Sequence, residues 1–63
     1  MKPTEISEEE FYEINKEGIF YYKTDLNIHC KIVYKDRSQI IKNIWKNEKL
    51  AFEWMNQFIT DFE

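Results

Sequence analysis

The chain has 63 residues, with eleven aromatic side chains, a net charge of −3 at pH 7, and a single Gly, Pro, Cys and His. That length predicts one small domain over residues 1–63, near the lower limit of independent folding. One Cys excludes an internal disulfide. One Cys and one His cannot complete a four-ligand zinc site, so neither a metal nor a cofactor is expected.

The first ten residues are acidic and lack the apolar stretch of a signal peptide. No apolar run approaches the ~18 residues that a membrane-spanning helix needs. A free thiol at Cys30, without a disulfide framework, suits a reducing compartment. These features predict a cytoplasmic protein that has no membrane partner.

Charge is distributed unevenly along the chain. Residues 1–18 carry six Glu and two Lys, residues 19–47 carry six Lys or Arg and two Asp, and residues 48–63 carry four acidic residues and one Lys. The centre is therefore basic and both ends are acidic. Either this is ordinary solvated surface, or the protein has one face for an acidic partner and another for a basic one.

A helix is predicted over Glu8–Lys16. Ser7, with Glu10 three residues later, forms a capping box, and the acidic residues between them favour the positive end of the helix dipole. Gly18 is the expected stop, because glycine tolerates the left-handed conformation that follows many helices.

Two strands are predicted next, over Ile19–Thr24 and Ile28–Lys35. Both are rich in β-branched and aromatic residues, and the second alternates regularly between two faces. The loop Asp25-Leu26-Asn27 is short enough to join them as a hairpin.

The segment from Ser38 to Lys46 leaves two alternatives open. Its β-branched and aromatic residues favour a third strand, and Asn47 followed by Glu48 offers a new helix start. The same segment also fits helical spacing, which would give one long helix over residues 38–62. The residues just before it, 35–38, are predicted to form a turn.

The strongest helical pattern covers Glu48–Phe62. Its apolar residues recur at steps of three and four, and its polar residues occupy the opposite face. The apolar stripe consists of Leu50, Ala51, Trp54, Met55, Phe58, Ile59 and Phe62.

The predicted fold is therefore α+β, in the order α-β-β-β-α, a three-stranded antiparallel meander with both helices on one face. The alternative is α-β-β-α with the long C-terminal helix. In the simplest register the inner face of the sheet holds Ile19, Tyr21, Ile28, Cys30, Ile32, Tyr34, Ile41 and Trp45. The outer face holds Phe20, Tyr22, Thr24, His29, Lys31, Val33, Ile40, Lys42 and Ile44, and no predicted helix covers it.

A solvated sheet face should be polar, but this outer face mixes large apolar and aromatic residues with two Lys and one His. An exposed patch of that kind usually marks an interaction surface. The predicted partner-binding residues come from this face and from the first helix: Phe20, Tyr22, His29, Lys31, Val33, Ile40, Lys42, Ile44, Glu9 and Glu13.

Catalytic residues are not expected. The acidic cluster of the first helix lies on an exposed turn, whereas acid–base catalysis needs a carboxylate in a concave, partly dry site. His29 and Cys30 are adjacent in a strand and point to opposite faces, so they cannot act as a pair.

These features favour a non-enzymatic protein-binding module, an inhibitor or regulator that blocks a larger target sterically. The chain is short, rich in Lys, Ile, Asn and Glu, and heavily aromatic. In that composition it resembles small accessory proteins of AT-rich bacteria and their phages, such as anti-CRISPR proteins and small immunity proteins. The resemblance implies an inhibitor and carries over no residue.

The alternative function is a nucleic-acid-binding domain that uses a basic and aromatic sheet face. Tyr21, Tyr22, Lys23 and Lys31, with Lys42 nearby, combine stacking groups with positive charge, as single-strand binders do. A homodimer joined through its sheet face or its edge strands is compatible with either function.

Overall fold

The computed structural model describes residues 2–36 and 39–62. Over that part of the chain it is an α+β fold in which four strands form one sheet in sequence order. The elements are β1 (Thr4–Glu5), α1 (Glu8–Glu13), β2 (Gly18–Lys23), β3 (Ile28–Val33), β4 (Ile40–Trp45) and α2 (Glu48–Asn56), followed by a 3₁₀ turn at Ile59–Phe62. β1 is parallel to β2, and β2, β3 and β4 form an antiparallel meander.

β1 is the strand that the sequence did not predict. Thr4 lies opposite Phe20 and Glu5 lies opposite Tyr21, and the backbone N–H of Ile6 donates to the Tyr21 carbonyl at 2.9 Å. The sheet is therefore mixed and four-stranded, where a three-stranded antiparallel sheet was predicted. Two residues carry no alternation of polar and apolar side chains, so no pattern marks this strand.

α1 begins where predicted and ends three residues earlier. The Ser7 side chain accepts the backbone N–H of Glu10 at 3.1 Å, as a capping box requires. The helix ends at Glu13, and Ile14 already has extended backbone angles.

Gly18 has a different role from the predicted helix stop. It is the first residue of β2, with a φ of 154°. A Cβ at this position would lie 2.6 Å from the ring of Phe20. Glycine is therefore required here because an aromatic ring covers the backbone.

The two helices pack on opposite faces of the sheet, which corrects the prediction that both lie on one face. Met55 of α2 joins a buried cluster with Ile19 and Ile32. On the other face, the ring of Phe11 in α1 lies 4.8 Å from the ring of Tyr22, centroid to centroid. Because α1 connects two neighbouring parallel strands, it has to cross one face of the sheet. α2 occupies the other face.

The predicted division of the strands into two faces is confirmed by the register. The predicted inner face is the α2 side, and its buried centre consists of Ile19, Ile28, Cys30 and Ile32, with Ala51 and Met55 from the helix. The predicted outer face is the α1 side.

The ambiguous segment before α2 is a strand, so the third-strand prediction is confirmed and the long-helix alternative is wrong. α2 starts after Asn47, whose side-chain oxygen accepts the backbone N–H of Leu50 at 3.1 Å. The helix ends at Asn56, earlier than predicted, and the 3₁₀ turn continues its course. The turn predicted over residues 35–38 includes residues 37 and 38, which lie outside the described residues.

Candidate binding surface

α1 lies over the part of the sheet that was predicted to bind a partner. Phe20 is 4%, Tyr22 is 5%, Lys31 is 5% and Val33 is 0% exposed. The prediction that these four side chains lie on an open face is therefore wrong. It failed because a crossover helix on this face was not foreseen.

Lys31 closes the C-terminal end of α1. Its ammonium group donates to the carbonyl of Phe11 at 2.8 Å and to that of Ile14 at 3.0 Å. An α-helix leaves acceptors unpaired in its last turn, and a cation there also complements the negative end of the helix dipole. Burial lowers the pKa of Lys31, and the nearby charge of Lys42 lowers it further. This lysine holds the helix to the sheet.

An aromatic stack joins α1 to the two central strands. The ring of His29 lies 4.5 Å from that of Tyr22 at an interplanar angle of 6°, and the Tyr22 hydroxyl lies 3.2 Å from the Tyr12 hydroxyl. Burial, followed by the hydrogen bond with Tyr12, raises the pKa of Tyr22 to about 12. His29, a predicted partner-binding residue, is half-buried in this stack.

The part of the predicted surface that lies on β4 is exposed. Ile40 is 44% and Ile44 is 57% exposed, and the exposed side chain of Lys42 lies between them on the same face. Tyr12 on α1 is 61% exposed. We call Tyr12, Ile40, Lys42 and Ile44 the β4 surface. Aromatic and aliphatic groups around one cation are typical of a partner-binding patch.

A groove of 160 Å³ separates α1 from β4. It is lined by Phe11, Tyr12, His29, Cys30, Lys42, Asn43 and Ile44. The groove exists because α1 packs over β2 and β3 and leaves the last strand uncovered. Its volume is below the roughly 300 Å³ at which small-molecule sites begin and is about that of a single side chain.

The backbone of β4 has one bonded side and one open side, and the register identifies them. The N–H of Tyr34 donates to the carbonyl of Gln39 at 3.3 Å, and these two residues are directly opposite in the ladder. Bonded and non-bonded pairs alternate along an antiparallel ladder. Ile32 and Ile41, two positions along, are therefore a bonded pair.

Ile40, Lys42 and Ile44 occupy the non-bonded pairs, so their backbone N–H and C=O groups point away from β3. The N–H of Ile44 accordingly takes the side-chain oxygen of Asn43 as its acceptor, at 2.9 Å. β4 is the last strand of the described sheet. Its open edge and its exposed side chains thus belong to the same three residues.

Glu9 and Glu13, the two predicted carboxylates, are exposed on α1. They share this helix with Tyr12. Neither lines the groove, whose helix side consists of Phe11 and Tyr12 and whose strand side carries Lys42.

The sequence did not identify Tyr12 or Asn43 as surface residues of interest. For Tyr12 a signal existed: it follows Phe11, and consecutive helical residues are separated by roughly 100° around the axis. A residue next to the buried one therefore lies at the border of the packed face. For Asn43 no local signal exists, because its contact depends on which residues face the open edge.

A wider hollow of 550 Å³ is lined by Glu17, Tyr34, Lys35, Asp36, Asp61 and Phe62. The Tyr34 hydroxyl donates to the Asp61 carboxylate at 2.8 Å, and its ring stacks on Phe62 at 5.5 Å. These contacts tie the 3₁₀ turn to the end of β3. Among the described residues, no group of three or more His, Cys, Asp or Glu side chains is placed to hold a metal ion.

Comparison of the chain with protein families, with curated proteins and with solved structures found no match. None of the helices in residues 2–36 and 39–62 has the length and apolar character needed to span a membrane.

Proposed function

We propose that this protein is a non-enzymatic protein-binding module of the cytoplasm, an inhibitor or regulator that blocks a larger target through the β4 surface. The observation that carries the proposal is that two exposed isoleucines flank Lys42 on a strand with an open backbone edge. Burying Ile40 and Ile44 against a target would release water from apolar area that this chain leaves uncovered.

Each part of the β4 surface has a role in such a contact. Tyr12 supplies a rigid aromatic anchor, a residue type enriched where binding energy concentrates. Lys42 would select a target with a carboxylate opposite it, which gives specificity and faster association. A chain of this size that covers part of a larger surface can exclude another ligand sterically.

Cys30 supports the non-enzymatic part of the proposal. Its side chain is 0% exposed, and burial raises the pKa of its thiol to about 11. Reactive cysteines have a lowered pKa and access to solvent, so this one is a packing residue. A buried free thiol is also compatible with the reducing cytoplasm. The compositional resemblance to phage and mobile-element inhibitors supports the same kind of role.

The nucleic-acid alternative has less support. It requires stacking rings and cations on one open face, but Tyr22 and Lys31 are buried. Lys23 pairs with Glu48 at 3.1 Å. Phosphate binding would therefore depend mainly on Lys42, and no exposed aromatic ring on β2 or β3 would be there to stack on the bases.

The test is a tagged capture from nuclease-treated lysate with the wild-type chain and two matched variants. Ile44→Asp places a charge in the β4 surface. Leu26→Asp makes the same kind of change at a leucine that is 77% exposed in the β2–β3 loop. The proposal predicts one stoichiometric protein partner that wild type and Leu26→Asp retain and Ile44→Asp loses. Equal capture by all three, or loss of all captured protein after nuclease, would overturn it.

A further inference from the structure

We propose that two copies of the chain pair through β4 as antiparallel strands, with Asn43 of one copy opposite Asn43 of the other. This inference rests on the proposed function in placing a protein contact at β4. It goes further by assigning the backbone edge to a second copy and the side chains of the β4 surface to the target.

The open edge restricts the possible pairings. A new strand can bond only to outward N–H and C=O groups, which in β4 belong to Ile40, Lys42 and Ile44. In a symmetric antiparallel pair, these outward residues must lie opposite one another. Four registers near the middle of the strand satisfy this condition, with Ile41, Lys42, Asn43 or Ile44 opposite its own copy. Those centred on Lys42 and Asn43 pair five of the six residues of β4, whereas those centred on Ile41 and Ile44 pair only three.

Charge distinguishes between these registers. The register centred on Lys42 places Lys42 directly opposite Lys42, and the register centred on Ile44 places Lys42 opposite Lys46. Like charges directly opposite each other destabilise a strand pair. The register centred on Asn43 places Lys42 opposite Ile44 instead, and leaves lysines of the two copies diagonal at about 7–8 Å. Of the two registers that pair five residues of β4, only the one centred on Asn43 therefore avoids a pair of like charges.

The side chains also match in the Asn43 register. On the α1 side, the aliphatic stem of Lys42 packs beside Ile44 of the other copy, and the outward faces of both side chains stay open to the target. On the α2 side, Ile41 lies opposite Trp45, a favourable aliphatic–aromatic pair. The two Asn43 amides face each other and can exchange hydrogen bonds.

The backbone groups gain partners in the same register. Lys42 of one copy and Ile44 of the other form a bonded pair, in which each N–H donates to the opposite carbonyl. The Ile44 N–H, which bonds the Asn43 side chain at 2.9 Å in the single chain, then has a main-chain acceptor. The symmetry axis runs perpendicular to the sheet, so both α1 helices lie on one side and the two β4 surfaces join. A target would then meet a patch of twice the area.

The first measurement is sedimentation equilibrium of the purified full chain. The expected mass is about twice the 7.8 kDa of one chain. Ile44→Pro removes an outward N–H and should raise the dissociation constant at least about tenfold, while the monomer stays folded. Glu5→Pro removes an outward N–H from the other edge strand and should leave the dimer intact.

A cysteine cross-link tests the register. In it the two Asn43 residues form a non-bonded pair with Cα atoms about 4.5 Å apart, within the range of a disulfide. Asn43→Cys should therefore cross-link rapidly under mild oxidation, whereas Lys42→Cys should do so slowly. Both variants also carry Cys30→Ala, because Cys30 lies directly opposite residue 43 in the β3–β4 ladder and could form a disulfide with it within one chain.

Three results would overturn the inference: a wild-type chain that remains monomeric at about 1 mM, a dimer that survives Ile44→Pro, or faster cross-linking by Lys42→Cys than by Asn43→Cys. The cross-linking result stands even if Ile44→Pro fails to fold. If the wild-type chain is monomeric and still captures a partner that Ile44→Asp loses, the dimer is wrong and the proposed function stands. If the wild-type chain is a dimer but Ile44→Asp captures the partner as well as the wild type does, the proposed function is wrong and the dimer stands.

Discussion

The two edges of the sheet differ in length, in composition and in what they leave open. β1 has two residues, follows Pro3, and presents the carboxylate of Glu5. β4 has six residues, and its outward positions are Ile40, Lys42 and Ile44. Short strands, prolines and charges protect an edge from pairing with another chain, and since each edge carries one charge, Glu5 or Lys42, the difference lies in strand length and in Pro3. The comparison shows that one edge is closed by its sequence and that the other can accept a strand.

α1 covers the face of the sheet near β1 and leaves the face near β4 uncovered. α1 and β1 belong to one crossover unit, and Lys31 of β3 anchors the helix at its carbonyl end. The helix therefore lies toward the β1 side and leaves the side chains of β4 bare. The edge of β4 is open because β4 is the last strand of the described sheet, and its face is open because of the position of α1.

The largest expected effect on stability comes from proline substitutions in β4, where the inward N–H groups bond β3 and the outward ones do not. Ile41→Pro would remove an inward N–H that bonds β3, at a cost of about 3 kcal/mol or more. A chain of this size has a stability of only about 3–9 kcal/mol, so the variant should lose about a third or more of its free energy of unfolding. Ile44→Pro, with its N–H outward, should stay folded. Urea unfolding followed by circular dichroism measures both, and equal stability of the two variants would contradict the assigned ladder.

The second effect concerns the anchor of α1. Lys31→Met would leave the carbonyls of Phe11 and Ile14 without their cation, at a cost of about 2 kcal/mol. Hydrogen exchange should then show faster amide exchange in β1 and α1 than in β4. Lys42→Met, the same change at the exposed lysine opposite, should alter the free energy of unfolding by less than about 0.5 kcal/mol. Similar losses in both variants would mean that the Lys31 cap does not stabilise the helix.

The third effect is a loss of stability at alkaline pH on the α1 side. Burial raises the pKa of Tyr22 from 10.0 to about 12, so the unfolded chain releases this proton first. Stability should therefore fall as pH rises from 10 to 12, by about 1 kcal/mol at pH 11.

Five other groups with a shifted pKa titrate in the same region, so Tyr22→Phe has to be compared with the wild type at each pH. Burial raises the pKa of Tyr21, the hydrogen bond with Asp61 raises that of Tyr34, and the hydrogen bond with Glu48 raises that of Lys23. The pKa of Cys30 rises from 9.0 to about 11, which lowers stability from pH 9 upward. The pKa of Lys31 is lowered from 10.5, so its contribution has the opposite sign below that pH. Tyr22→Phe should remove the contribution of Tyr22, so the free energy of unfolding should fall less steeply with pH above pH 10. An unchanged slope in urea midpoints between pH 10 and 12 would refute the role of Tyr22.

The smallest expected effect is at the closed edge. The N–H of Ile6 points inward to Tyr21, and parallel ladders alternate, so the N–H of Glu5 points outward. Glu5→Pro should change the free energy of unfolding by less than about 0.5 kcal/mol and leave sedimentation unchanged. If this variant unfolds or dissociates, the contrast between the two edges is wrong.

Local patterns predicted much of the fold because they depend on neighbours in sequence. Ser7 and Asn47 cap their helices as expected, since a cap needs a short polar side chain at a helix start. The alternation of Ile28 to Val33 defined two faces, and β-branched residues correctly favoured a strand at residues 40–45. Of the sheet residues predicted to bind a partner, Ile40, Lys42 and Ile44 are exposed.

The burial of the remaining sheet residues could not be predicted from the same pattern. An apolar outer face indicates that something covers it, but hydrophobicity does not distinguish a partner from the chain's own helix. For Phe20, Tyr22 and Val33 the cover lies within the chain, and Lys31, a cation that resembled a contact for a partner, is bonded to α1.

The sequence by itself determined the caps, the strands of the meander and the sorting of their side chains into two faces, because these follow from local spacing and polarity. The tertiary structure alone decided the pairing of β1, the side on which α1 lies, and the edge that stays open. Those depend on a two-residue strand, whose pairing turns the first helix into a crossover and directs it to one face of the sheet.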